Sequence, residues 1–360
     1  MLIFRYLAKE VFVTLVALTS ISLLIVLSNQ FVQYLTRAAN GQIPGIFVLK
    51  LMMLELPNLM GLLLPLGFYL AVLIAYGRLY ADSEMVVLHG CGYGPRQLMK
   101  HTFIMASMLS VFVLIIMLWL SPFIATERAI LLRTTGVQIL IKTIVPAHFR
   151  SVANGRDVFY VQSMNRQHTE ANGVFLARLI DKADKKEWDV VWAEKAYAKT
   201  DHKTDEDYVV FEKGKVYEGL PGRADYRVIH FDQYEARLPH PMTTLKKEDL
   251  RVLPTANLWP INNPDRLKAA EIQWRLSIPL MVLVLTCVAV PLSRVNPRAG
   301  KFAKLLPAMI IYVLYANFMF IARDWVVMGK VPVWLGVWWV HGLVVLIGIA
   351  LIWRNQTRPA

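Results

Sequence analysis

Long apolar segments constrain this chain more than any other feature. Six segments approach the roughly 20 apolar residues that a helix needs to cross a bilayer, and they are 11–35, 47–77, 100–124, 272–293, 303–322 and 331–353. The chain is 56% hydrophobic over 360 residues, which is well above the content of an ordinary soluble domain. The sequence therefore predicts a multi-pass membrane protein with six transmembrane helices.

The first two spans need separate interpretation. Arg5 and Lys9 give the first one a basic start, but its apolar run is too long for a signal peptide and no clear cleavage site follows. We therefore predict an uncleaved first span. Pro57 and Pro65 interrupt the second span, which predicts a kink that neighbouring helices compensate.

The distribution of positive charge predicts the topology. With the N-terminus in the cytoplasm, the short cytoplasmic segments hold eleven Lys and Arg residues and the opposite short loops hold four, as the positive-inside rule requires. Residues 127–266 carry 22 basic and 20 acidic residues, whereas the rest of the chain carries 17 and 6. The excess positive charge thus belongs to the membrane part. We predict cytoplasmic termini, a large external segment and no nucleic-acid partner.

The large segment changes its hydrophobic period. Short runs rich in β-branched and aromatic residues recur at 157–164, 173–180, 188–199, 207–219 and 225–238. Turn-type clusters such as ANGR at 153–156 separate them, which predicts an antiparallel sandwich or barrel. The predicted plan is three spans in 1–125, a β domain in 126–265 and three spans in 266–360, with a helical extension of the third span over 126–145.

Several kinds of chemistry lack a motif in this sequence. There is no GxxxxGK[ST] loop for ATP, no HExxH or CxxC spacing for a metal, and the two cysteines imply no disulfide framework. GCGYG at 90–94 is best interpreted as a helix stop followed by a turn. We predict no catalytic residue, no metal and no cofactor in this chain.

Residues 81–95, ADSEMVVLHGCGYGP, form a polar interruption on the predicted cytoplasmic side. Asp82 or Ser83 is suited to cap a short helix over 84–89, in which Glu84 lies one turn before Leu88 and shares its face. An anionic membrane surface favours Lys and Arg on the polar side of such a helix. The acids therefore favour a basic groove in a protein partner, with a solvated loop as the alternative.

Three stretches resemble a known family. They are RYLAKE at 5–10, SEMVVLHGCG at 83–92, and AEIQWR at 270–275 continued by VPLSRVNPRAGKFAKLLPAMIIY at 290–312. They resemble the lipopolysaccharide-export permeases, and the last stretch is most similar to the F-type subunit. The resemblance is specific over 1–125 and 266–320, whereas the external domain matches in position, size and strand pattern.

The resemblance implies one membrane subunit of an ABC transporter in the bacterial inner membrane. The family pairs two homologous six-span subunits, F-type and G-type, each with an inserted periplasmic β-jellyroll. Two cytoplasmic ATPases supply the energy from ATP and Mg, and a periplasmic jellyroll protein with a single membrane helix receives the lipopolysaccharide. Residues 80–91 match the coupling helix of the family, which makes Asp82, Ser83, Glu84, Val87 and Leu88 the expected contacts to the ATPase.

The resemblance also predicts lipid contacts. The candidates for the phosphorylated headgroup are the external cations Arg37, Lys50, Lys268, Arg275 and Arg323. Glu271 lies four residues before Arg275, so an intrachain ion pair is the alternative there. Gln30 and Gln33 occupy a turn where basic residues are expected in the family, so the G-type partner is expected to supply more of the contacts to the headgroup phosphates.

Two apolar surfaces complete the predicted lipid path. Tyr312, Tyr315, Phe318 and Phe320 are candidates for a lateral opening, and ordinary helix packing is the alternative. The candidates for an apolar, lipid-binding jellyroll interior, or for an ordinary packed core, are Val158, Phe159, Val161, Phe175, Leu176, Val190, Trp192, Tyr197, Val209 and Phe211. Two other functional classes stay open on the residues alone: a stand-alone secondary transporter or channel, and a membrane-anchored scaffold.

Overall fold

The helices account for most of the chain. A computed structural model describes residues 2–39, 43, 45–142, 146–152, 157–165, 170–182, 185–201, 206–219, 226–237, 250–261, 263–295 and 304–356. Its main helices are α1 (Leu2–Ala39), α2 (Val48–Ala81), α3 (Glu84–Gly90), α4 (Pro95–Ile115), α5 (Ser121–Lys142), α6 (Arg266–Ser293), α7 (Leu305–Met328) and α8 (Trp338–Gln356). Short 3₁₀ turns cover Gly45–Phe47 and Thr255–Leu258, and a π-helical turn covers Ile116–Leu120.

Membrane-length helices occur where the apolar segments predict them. Within the described part of the chain, five helices are long and apolar enough to cross a bilayer: Leu2–Ala39, Gly45–Ala81, Pro95–Leu131, Arg266–Ser293 and Leu305–Met328. The sixth apolar helix, Trp338–Arg354, is shorter, because residues 331–337 form turns in which the Leu335 and Gly336 amides both donate to the Pro332 carbonyl. Pro57 and Pro65 lie inside the uninterrupted helix α2.

Buried polar contacts join the membrane helices to one another. The Tyr76 hydroxyl lies 2.8 Å from the Thr102 hydroxyl, and both side chains are fully buried. The Ser110 hydroxyl donates to the Pro279 carbonyl at 2.9 Å, and α6 is buried along most of its length. Such bonds satisfy groups that hydrocarbon cannot solvate, so they fix which faces of α2, α4 and α6 meet.

The β domain contains one antiparallel sheet in the described residues. Its strands are β1 (Arg150–Val152), β2 (Asp157–Met164), β3 (Glu170–Lys182), β4 (Lys185–Asp201), β5 (Glu206–Gly219) and β6 (Arg227–Arg237), and they pair in chain order. The five predicted runs match β2 to β6, and β1 is an additional edge strand. The described strands thus form an up-and-down meander. Turn cluster 153–156 and residues 240–249 lie outside the described residues.

The residues predicted to line the interior divide between the two faces of the sheet. Val161, Leu176, Val209 and Phe211 are buried in one packed cluster, and Phe159 packs against it. Phe175 pairs with Trp192 on the opposite face, where Trp192 is 44% exposed and Phe149 contacts the Phe175 ring at 6.2 Å. Val158 and Val190 share that second face by strand alternation. These four residues, together with Tyr197 next to the packed Ala196 on β4, therefore do not share the packed face with the other predicted residues.

A crease across the strands changes which residue positions face the packed side of the sheet. Val174 pairs with Ala193, and Asn172 with Lys195, but Gly173 between them makes no ladder pair with β4. On β3, Val174 and Leu176 are buried on one side of Gly173, and Ala171 is buried on the other side. The buried positions therefore change from even to odd residue numbers at Gly173. Gly173 has φ of 63°, a backbone region that favours glycine. One extra residue per strand therefore moves the side chains beyond it to the other face.

The chain divides into two compact units. One contains residues 1–32, 50–128 and 246–360, and the other contains residues 33–49 and 129–245. The first holds the membrane-length helices and the second holds the sheet. The predicted fold class, membrane helices with an inserted antiparallel β domain, is confirmed.

Candidate functional site

Helix α3 follows α2 after a two-residue turn. Ser83 occupies its N-cap position with φ of 61° and makes no side-chain cap bond, so the predicted Ser83 or Asp82 cap is not formed. The backbone replaces it, because the Val86 and Val87 amides both donate to the Ser83 carbonyl. The left-handed residue lets the chain reverse sharply between the two helices.

The glycines after α3 stop it as predicted. The Tyr93 amide donates to the Leu88 carbonyl, and the Gly92 amide donates to the His89 carbonyl, which is the bonding of a Schellman motif. Gly92 has φ of 87°, as that motif requires. Residues 90–94 therefore serve as a helix stop, and α3 is held at both ends by backbone bonds.

Helix α3 is anchored through one side chain and exposes the others. Met85 is fully buried in the helical core, whereas Val86 and Val87 are 59% and 65% exposed. Asp82, Ser83 and Glu84 are exposed too, and Leu88 is half-buried. Two exposed valines next to two carboxylates form a small surface that is apolar and acidic. Val86 was missing from the predicted contact set.

The first helix contacts this surface directly. The Tyr6 hydroxyl donates to Glu84 Oε2 at 2.6 Å. One turn further along α1, Glu10 accepts from Arg78 Nη2 at 2.7 Å. Tyr6 lies in the RYLAKE stretch, but nothing in the sequence pattern indicated that it meets a residue 78 positions away.

An aromatic cluster supports the other side of α3. His89 Nδ1 lies 2.7 Å from the Tyr93 carbonyl oxygen, and the Tyr93 hydroxyl lies 2.5 Å from His101 Nδ1. Burial raises the pKa of Tyr93 to about 12, so its hydroxyl stays protonated at neutral pH. The Phe4 ring contacts the His101 ring at 5.2 Å. These contacts connect the start of α4 to both α3 and α1.

The predicted headgroup cations lie in different surroundings. Arg37 lies over the Tyr34 ring at 5.9 Å, Lys50 is exposed and Lys268 is half-buried. Arg323 donates to Glu271 at 2.6 Å and lies over the Trp274 ring at 5.0 Å. Arg275 also pairs with Glu271, so the structure brings Arg323 and Arg275 together around one carboxylate.

Arg275 is enclosed by its own chain. The residue is 3% exposed, and all five of its N–H donors have acceptors: Glu271 Oε1, the Leu250, Arg251 and Leu253 carbonyls, and the Thr255 hydroxyl. The i,i+4 pair with Glu271 is present at 3.1 Å. No donor remains for a lipid headgroup, so Arg275 holds the segment 250–255 against α6.

The same segment is bonded to the third membrane-length helix. The Thr255 hydroxyl donates to the Leu118 carbonyl at 2.7 Å, inside the π-helical turn Ile116–Leu120. The Thr126 hydroxyl lies 3.3 Å from the Val252 carbonyl. Arg275 and Thr255 thus join α6, the returning chain and the π-helical turn into one polar network.

The aromatic residues of α7 separate into buried and exposed positions. Tyr315 is 1% exposed and its hydroxyl lies 2.5 Å from His341 Nδ1 in α8. Tyr312 stacks on Tyr69 at 6.4 Å. Phe318 and Phe320 are exposed. Tyr315 therefore packs inside the helices, and the two phenylalanines face outward.

The comparison with known proteins covers the whole architecture. Residues 5–354 match the family described as lipopolysaccharide export system permease LptF/LptG. The chain belongs to this family. Proteins named lipopolysaccharide export system permease protein LptF from Escherichia coli (strain K12) and from Shigella flexneri are each 29% identical over 352 residues, which covers 98% of this chain and 94% of theirs. The family resemblance inferred from three stretches is confirmed.

Proposed function

We propose that this chain is the F-type permease subunit of an ATP-driven transporter that extracts lipopolysaccharide from the bacterial inner membrane. It performs no catalysis itself, because a pair of cytoplasmic ATPases hydrolyses ATP with Mg. A homologous G-type subunit completes the membrane part, and a periplasmic jellyroll protein with one membrane helix receives the lipid. Both termini lie in the cytoplasm and the β domain of residues 126–265 lies in the periplasm.

The observation that carries this proposal is the surface of α3. Its backbone is fixed at both ends and by the buried Met85, yet it exposes Val86 and Val87 beside the Glu84 carboxylate. An exposed apolar pair on a helix with a fixed backbone is suited to an apolar pocket in a partner, and acids disfavour an anionic lipid surface. A basic groove that contains an apolar pocket fits both features. The ATPase supplies that groove in this proposal.

Transport needs an energy source because lipid acyl chains are poorly soluble. Moving a chain of about a dozen methylenes into water costs on the order of 10 kcal/mol. The packed face of the sheet, which includes Val161, Leu176 and Phe211, is the apolar surface that would accept such chains if the β domain opens. Phe318, exposed on α7, fits a lateral opening better than the buried Tyr315.

The structure gives less support to a stand-alone secondary transporter. Such a protein needs acids or histidines that can exchange an ion within the membrane, and the candidates are Glu55, Glu271 and His341, which contacts the Tyr315 hydroxyl. Glu55 is paired with Arg128 at 3.1 Å, and Glu271 is paired with both Arg275 and Arg323. These acids are held by arginines and are unsuited to an exchange cycle.

Charge reversal on α3 tests the proposal. We expect Glu84→Lys to weaken association with the ATPase at least about tenfold, because it sets like charges against each other across the interface. Val87→Asp should weaken association to a similar degree by removing an apolar anchor. The measurements are co-purification with the family's ATPase and release of lipopolysaccharide from vesicles that contain the assembled transporter.

Asp232→Lys is the matched control, since it reverses an exposed carboxylate on β6. It should leave association unchanged. Normal ATPase association and normal lipid release for both α3 variants would refute the coupling role of α3.

A further inference from the structure

Two polar contacts connect the start of α1 to the elements on both sides of the α2–α3 turn. The Tyr6 hydroxyl donates to Glu84 on α3, and Arg78 near the end of α2 pairs with Glu10. Tyr6 and Glu10 are four residues apart and therefore share one face of α1. The turn at Asp82 and Ser83 lies between the two contacts along the chain.

The Tyr6–Glu84 bond has the geometry of a strong contact. Its O···O distance of 2.6 Å is in the range of a hydroxyl bonded to a charged carboxylate. The bond uses Oε2 of Glu84, and among the described residues no hydrogen bond to Oε1 is present. Because Glu84 is exposed, its second oxygen is open to a partner while the first stays bonded to Tyr6.

Helix α1 is buried along one stripe in its first turns. Leu7, Val11 and Leu15 are buried with a four-residue spacing. From residue 20 to residue 33 the side chains are exposed or half-buried, and Tyr34 is buried again. Both polar contacts lie at the end of α1 that the stripe packs, which is the end next to α3.

We propose that Tyr6 is a positioning residue that orients Glu84 for the partner and, together with the Glu10–Arg78 pair, makes α1 move with α3. This inference rests on the function proposed above, since it assigns α1 as the element that the α3 partner displaces. Displacement of α3 pulls on Tyr6, while the Glu10–Arg78 pair holds the next turn of α1 to α2. The outer part of α1 then changes its distance from the neighbouring helices.

The test measures that distance in the assembled transporter. Spin labels are attached at Ile25→Cys and Met108→Cys, two exposed positions on the outer part of α1 and on α4, in a background with Cys91→Ser and Cys287→Ser. The distance distribution is recorded with and without a non-hydrolysable ATP analogue. We expect the analogue to change the distance in this parent, and Tyr6→Phe combined with Glu10→Gln to reduce the change at least about twofold, as loss of coupling requires.

Two further variants separate positioning from a general structural effect. Tyr226→Phe removes the hydroxyl of an exposed tyrosine in the β domain and should leave the distance change intact. Tyr6→Phe and Glu84→Ala should be non-additive in ATPase association, because each removes the same contact. A positioning role for Tyr6 predicts that the double variant binds no more weakly than Glu84→Ala alone.

The outcomes distinguish the two proposals. If the parent shows the ATP-dependent change and Tyr6→Phe/Glu10→Gln shows the same change, the role of α1 is refuted and the coupling function of α3 stands. If the parent neither binds an ATPase nor responds to the analogue, the proposed function is refuted, and the inference with it.

Discussion

Replacing Phe211 with alanine is expected to destabilise the β domain by about 3–5 kcal/mol, the usual loss for a large aromatic side chain in a packed core. Phe211 is fully buried, and its ring contacts Tyr234 at 6.2 Å. The cavity would lie under β5, which pairs with both β4 and the edge strand β6. Hydrogen exchange of the β4 and β5 amides in the full chain measures the loss.

Trp192→Ala is the informative control for Phe211→Ala. Both residues are large aromatics on neighbouring strands and both were predicted to line one interior, but Trp192 is 44% exposed on the other face. Its truncation should cost less than that of Phe211, since nearly half of the Trp192 surface is exposed already. Equal protection losses for the two variants would contradict the assignment of the packed face.

Replacing Arg275 with methionine is expected to cost about 3–5 kcal/mol of stability, the range for removing one partner of a buried ion pair. The change leaves Glu271 with Arg323 as its partner and leaves four other acceptors without the guanidinium. We expect a lower thermal unfolding midpoint in detergent. We also expect faster hydrogen exchange in residues 250–258, because Arg275 holds that segment to α6.

Lys268→Met provides the comparison for Arg275→Met. It removes a positive charge from the same helix at a half-buried position, where a single charge contributes roughly 0–1 kcal/mol. If the two variants unfold at the same temperature, the five hydrogen bonds of Arg275 do not stabilise this part of the chain and the network has been misassigned.

The two polar networks of the helical unit, one around Arg275 and one around Tyr6, have different roles. Arg275 and Thr255 hold the chain returning from the β domain against α6 and the π-helical turn. Tyr6 and Glu10 hold the start of α1 against α3 and α2. The first network is buried and contributes to stability, whereas the second is largely exposed and is better suited to transmit a movement that a partner imposes.

Local patterns in the sequence determined the elements of this protein. Runs of apolar residues predicted the membrane helices, and period-two runs predicted β2 to β6, because both signals depend on residues close together in the chain. The stop of α3 at Gly92 was predictable for the same reason. The family resemblance also came from short contiguous stretches.

Tertiary structure decided which side chains meet and which face of an element is buried. The crease at Gly173 moves side chains to the other face through a one-residue shift, which no alternating pattern reveals. The contacts Tyr6–Glu84 and Arg323–Glu271 join residues 78 and 52 positions apart. Such pairs form because helix packing brings distant segments within hydrogen-bond reach, and a linear sequence carries no local signal for that distance.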